Sequence, residues 1–100
     1  MQHNGHTATN NAPELQLEIN EQKEKAYLIY RFHQEQIALM HTFVPASLNA
    51  KGVGEALVVA AFALANELNK AVIIYCLFVA AYVEKHPEYQ GQVYKKDAQL

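Results

Sequence analysis

Lys51-Gly52-Val53-Gly54 stands just ahead of the apolar run Ala56 to Ala65, an order of residues suited to holding an anion. A helix that opens on such a Gly-x-Gly turn leaves its first backbone N–H groups without intrahelical partners, and the positive end of its dipole points the same way. Lys51 adds a positive charge at that entrance, and Glu55 in the first turn is accounted for by the helix dipole. A diphosphate gripped mainly by backbone suits these residues, and so does a plain glycine turn. Cys76, the only cysteine, follows Val72-Ile73-Ile74-Tyr75 and so falls at the carboxyl edge of a strand, where parallel sheets bind ligands. It also directly precedes a second helix, whose start favours a thiolate. Cys76 reads either as a nucleophile or as a small buried hydrophobe. His41 and His86 carry imidazoles that could serve as bases; otherwise one is a strand side chain and the other ends a helix.

Several phosphate loops are excluded by the same residues. A P-loop needs Gly, four residues, then Gly-Lys-Ser/Thr, whereas here the lysine precedes the glycines and Glu55 follows them. A dinucleotide fingerprint needs a third small residue and an acidic residue roughly 20 positions on. Leu57 occupies the first place, and the apolar Val72-Ile73-Ile74-Tyr75 occupies the second region. A metal centre built from His33, His41, Cys76 and His86 has no recognised ligand spacing, so none is expected.

The elements that must position these groups follow from periodicity. Leu15, Leu17 and Ile19 alternate with Gln16, Glu18 and Asn20, which predicts a strand. A charged turn at Glu21 to Lys25, a second strand over Ala26 to Phe32, a turn at His33 to Gln36 and a third strand over Ile37 to Val44 come next. Pro45 stops that strand because it has no N–H to give the ladder. The helix opening near Gly52 is apolar on more than one face, so it should be covered on more than one side. Val72 to Tyr75 is continuously apolar and β-branched, which predicts a central strand parallel to the third through a right-handed crossover. Phe78 to Lys85 forms a second helix, ended where His86 precedes Pro87. Residues 1–13 have almost no large apolar side chain and are expected to be a flexible tail, with one domain over 14–94 and a frayed end over 95–100.

One hundred residues make one compact domain. A net charge of -2 and a pI near 6.2 supply no basic footprint for nucleic acid. A lone cysteine allows no internal disulfide, and Met1-Gln2-His3-Asn4 carries no secretory signal, which together predict the cytoplasm. The longest apolar runs, Ala56 to Ala65 and Ala71 to Val83, are shorter than the roughly 20 residues a membrane span requires. The all-round apolar first helix suggests a homodimer.

Strand, Val-Pro, Lys-Gly-x-Gly loop, apolar helix, β-branched strand and tyrosine-bearing helix, in that order, resemble the short single-domain branch of the GCN5-related N-acetyltransferases. The resemblance spans Leu15 to Val93. It is sharpest in His41-Thr42-Phe43-Val44-Pro45, in Lys51-Gly52-Val53-Gly54, and in Cys76-Leu77-Phe78-Val79-Ala80-Ala81-Tyr82 followed by His86-Pro87-Glu88-Tyr89. Asn49 stands where the superfamily loop has Gln or Arg, Ala50 replaces a glycine usual in the short branch, and Leu77 stands where a proline often follows the cysteine. The resemblance implies an α/β (α+β) fold with antiparallel N-terminal strands followed by β-α-β-α and a pyrophosphate loop. It also implies acetyl-CoA as cofactor and a small-molecule or peptide amine as acceptor. The cofactor would lie against Phe43, Val44, Asn49, Lys51, Gly52, Val53, Gly54, Glu55 and Phe78. Cys76, His41 and Tyr82 are the catalytic candidates, with Tyr82 as the acid that protonates the departing thiolate. Two rival readings remain, a non-catalytic acyl-CoA-binding module and a structural domain that pairs with itself.

Overall fold

The computed structural model describes residues 6–95. Five strands make one mixed sheet in sequence order: β1 (Thr9–Asn11), β2 (Gln16–Glu21), β3 (Glu24–His33), β4 (Gln36–Phe43) and β5 (Ala71–Ile74). The first four are antiparallel, and β5 runs parallel to β4. The chain crosses between those two through helix α1 (Val53–Glu67), and helix α2 (Leu77–Lys85) follows β5.

Side-chain alternation decides which face is covered. Leu17 and Ile19 of β2, Ala26, Leu28 and Tyr30 of β3, and Ile37 and Leu39 of β4 all enter the core beneath α1. Their neighbours Asn20, Lys25 and Arg31 point to the open, outer face. From α1, Leu57, Val58, Ala61, Phe62 and Ala65 are buried, each large side chain contributing about 1.5–3 kcal/mol. The remaining sides of α1 meet α2 and the 3-10 segment Pro87–Gln92, where the Phe62 and Tyr89 rings lie 4.9 Å apart. Much of its apolar surface is therefore covered within the chain, while Val59, Ala60 and Leu64 stay half-buried and Ala63 is exposed.

Local chemistry sets the element ends. Gln22 and Lys23 take φ 55° and 65°, so a two-residue turn with both centres left-handed joins β2 to β3. At the end of α1 the Lys70 N–H bonds Ala65 O at 2.9 Å and the Asn69 N–H bonds Asn66 O at 3.1 Å, with Asn69 at φ 58°. That is a Schellman cap with asparagine in the place glycine usually takes.

Three expectations need correction. Thr9–Asn11 lies within the expected tail, yet it pairs with β2 as an edge strand. Asn11 donates to Glu18 at 2.9 Å, and the Tyr30 hydroxyl donates to Asn10 at 2.7 Å. Leu15, placed in the first strand, instead takes φ 55° at the end of a 3-10 turn. β5 is not a central strand: among the described residues, its side away from β4 meets only Val93, bridged to Val72, and Tyr94, whose N–H bonds Val72 O at 2.7 Å. Ile73 and Tyr75 accordingly keep access to solvent. Of the expected tails, residues 1–5 and 96–100 lie outside the described residues.

Candidate active site

The sheet forks at its carboxyl end. β4 and β5 pair from Gln36/Ala71 to Leu39/Ile74, and a last bond runs from the Tyr75 N–H to Leu39 O at 3.0 Å. β4 then continues to Phe43 against β3 alone. The register steps from Tyr30/Leu39 to Ile29/His41, leaving Met40 as an extra residue at the parting point. A bulge of this kind bends its strand and so opens the gap beside β5.

Backbone direction inside the fork follows from the ladder. The Tyr30 N–H bonds Leu15 O, so Tyr30 faces β2; two-residue alternation turns Leu28 the same way. Thr42, opposite Leu28, then directs its own N–H and C=O away from β3 and into the fork. Phe43, opposite Tyr27, directs its backbone back to β3. Across the gap the Cys76 thiol donates to Thr42 Oγ1 at 3.4 Å, and Cys76 is 8% exposed. Thr42 thus contributes both backbone and side chain to the fork, and the sequence reading passed it over. One signal pointed to it: along a strand His41 and Thr42 must face opposite ways.

The glycine loop stands beside this fork. Its 3-10 segment Ala46–Lys51 is anchored by the fully buried Leu48, whose N–H bonds Pro45 O at 2.9 Å. Gly52 takes φ 81° as the N-cap of α1 and makes no side-chain cap, so the helix opens on backbone groups. The first helical bond runs from the Ala56 N–H to Gly52 O at 3.1 Å. Gly54 is needed for a different reason: a Cβ there would lie 2.7 Å from the Phe78 ring and 3.4 Å from Val44. Val44, Gly54 and Phe78 therefore meet where the loop, β4's end and α2 converge. Asn49 and Lys51 are exposed on the loop, and the Val53 side chain is buried in the core.

Glu55, Phe78, Ala81, Tyr82, Lys85 and His86 line a cavity of about 130 Å³ between the two helices. Tyr82 is 7% exposed and stacks on His86 at 4.1 Å. Burial first, then Tyr89, Glu88 and Glu55, push its phenol above the ordinary tyrosine value, so it carries its proton at neutral pH. Tyr82 lies six residues beyond Cys76, about 9 Å along the helix axis. The structure thus gathers Tyr82 with Glu55 and Phe78, and Cys76 with Thr42. His41 is on the outer face with Phe43, whose ring lies 5.4 Å from Tyr27, so the sheet separates His41 from Cys76. A larger cavity of about 470 Å³ is lined by His33, Gln34, Gln36, Ile73, Ile74, Tyr75, Val93 and Tyr94, and no residue of the glycine loop reaches it.

The parallel β-α-β crossover, the bulge-opened fork and the glycine turn at the start of α1 thus converge at one end of the sheet. Residues 14–92 match the model of the GCN5-related N-acetyl-transferase family, and the chain belongs to that family. Among solved structures it is similar to the NMR solution structure of "a GCN5-like putative N-acetyltransferase" from Staphylococcus aureus. The two are 28% identical and superpose with a TM-score of 0.68, over 94% of this chain and 91% of that one. No curated protein matches the chain. Family membership and this likeness support an acetyltransferase activity.

Proposed function

We propose that the protein transfers an acetyl group from acetyl-CoA to an amine. The observation that carries this reading is the coincidence, at one end of the sheet, of the fork, the backbone-lined start of α1 and the Cys76 thiol. Acetyl-CoA would supply an activated acetyl carbonyl and a diphosphate. The first-turn amides of α1 would hold the diphosphate, aided by the helix dipole and Lys51. The Phe78 ring, packed over Gly54, would cover the chain leading into the fork.

Inside the fork the Thr42 N–H would donate to the carbonyl oxygen, a bond that would strengthen as negative charge developed there. Cys76 stands beside that position, its thiol donating to Thr42 Oγ1. Tyr82 retains a proton to give to a departing thiolate, which suits the role of acid. In this reading His41, one residue from Thr42 on the opposite face, would take a proton from an amine that approaches from that side. A cytoplasmic location belongs to the same reading; among the described residues no helix is long and apolar enough to cross a membrane.

Calorimetric titration with acetyl-CoA, followed by assay of thiol release against a panel of small amines and lysine peptides, tests the proposal. Binding heat together with amine-dependent thiol release is expected. Binding without release for any amine would favour a non-catalytic binding module, and no heat at all would overturn the reading.

A further inference from the structure

His6 lies outside every element described so far, yet its imidazole is only 9% exposed. One ring nitrogen, Nδ1, meets the Glu21 carboxylate at the end of β2. The other, Nε2, meets the backbone oxygen of Lys51 at 2.7 Å. Both partner atoms accept hydrogen bonds and carry no proton to give. A neutral imidazole donates from one nitrogen only, so with Glu21 ionised both contacts are satisfied by the doubly protonated ring.

The second contact matters because of where Lys51 stands. Its carbonyl belongs to the same peptide unit as the Gly52 N–H, and in a trans peptide these two groups point in opposite directions. Holding Lys51 O against His6 therefore turns the Gly52 N–H away from His6. Gly52 is the left-handed N-cap on which α1 opens, so His6 sets the orientation of the loop's last peptide before the helix.

We propose that His6, clamped between the Glu21 carboxylate and the Lys51 carbonyl, is a positioning residue that orders the anion-binding loop and makes its grip on a diphosphate-containing thioester pH-dependent. The proposal rests on the reading of that loop as the acetyl-CoA site. The groups facing the ring are Glu21 from β2 and Lys51 from the loop, and they act in opposite senses. The hydrogen bond to Glu21, then that to Lys51 O, raise the imidazole above its ordinary value, against burial and the Lys51 charge. A raised value means the clamp is complete below the ordinary imidazole range and is lost as pH rises through the value in the folded protein.

The test compares acetyl-CoA affinity of the full chain and of His6→Gln by calorimetry from about pH 6 to about pH 9. At the acid end His6→Gln should bind about tenfold more weakly, the loss expected for a charge-assisted hydrogen bond. The ratio of the two affinities should shrink as pH rises, which also divides out titration of the ligand's own phosphate. Ring-nitrogen NMR of the unmodified chain gives a second readout. Adding acetyl-CoA should raise the His6 titration midpoint, because coupling between two sites is reciprocal. Equal affinities across the range, or a His6 midpoint at the ordinary imidazole value that the ligand does not move, would overturn the proposal while acetyl-CoA binding still stood. Absence of binding by the unmodified chain at every pH would overturn both this proposal and the reading it rests on.

Discussion

Cys76 combines burial with a polar partner, since its thiol is nearly enclosed and still donates to Thr42 Oγ1. A serine in its place keeps a donor of similar size at the same position. The account predicts that Cys76→Ser leaves acetyl-CoA affinity unchanged while turnover falls about a hundredfold or more, the scale of a positioned chemical group. Unchanged turnover would reduce Cys76 to a packing residue. At this scale the sequence was informative about identity and less so about neighbours. Cys76, Gly54 and Phe78 were read from the chain directly, whereas the Cys76–Thr42 and Gly54–Phe78 contacts join residues 34 and 24 positions apart. No spacing rule links such pairs. His41 shows the opposite outcome, for its imidazole made it a candidate base, and strand alternation sets it on the face away from Cys76.

The start of α1 depends on a single backbone conformation. Gly52 at φ 81° occupies the left-handed region, where an L side chain costs about 1–2 kcal/mol. Gly52→Ala should lower the melting temperature by about 4–8 °C for each kcal/mol lost in a domain of this size, and should weaken acetyl-CoA binding as the first turn shifts. A melting temperature and affinity equal to those of the unmodified protein would show that the helix does not need this geometry. The strands β2, β3 and β4 and both helices were legible because each buries one face, which leaves a period-2 or near-3.6 pattern. β1 was not. Thr9-Asn10-Asn11 buries no large apolar side chain and is held by the β2 ladder and by Asn side chains reaching Glu18 and Tyr30. His6 was hidden for the same reason, its two partners lying 15 and 45 residues away.

Among the described residues the sheet is covered by helices on one face, and the fork lies at the edge where β4 and β5 part. A continuous apolar run from Val72 to Tyr75 suggested a strand buried on both faces, yet β5 ends the sheet and leaves Tyr75 63% exposed. Composition could not show this, because the outer cover a larger sheet would have is absent among the described residues. The order of elements around the glycine loop was legible because three separate motifs occur in a fixed sequence. The direct test is an NMR titration of isotope-labelled protein with acetyl-CoA, following each backbone amide. The largest shifts are predicted at Gly52, Val53 and Gly54 in the loop and at Thr42 in the fork. Shifts confined to the outer cavity around Tyr75 and Tyr94, or none at saturating ligand, would contradict the account.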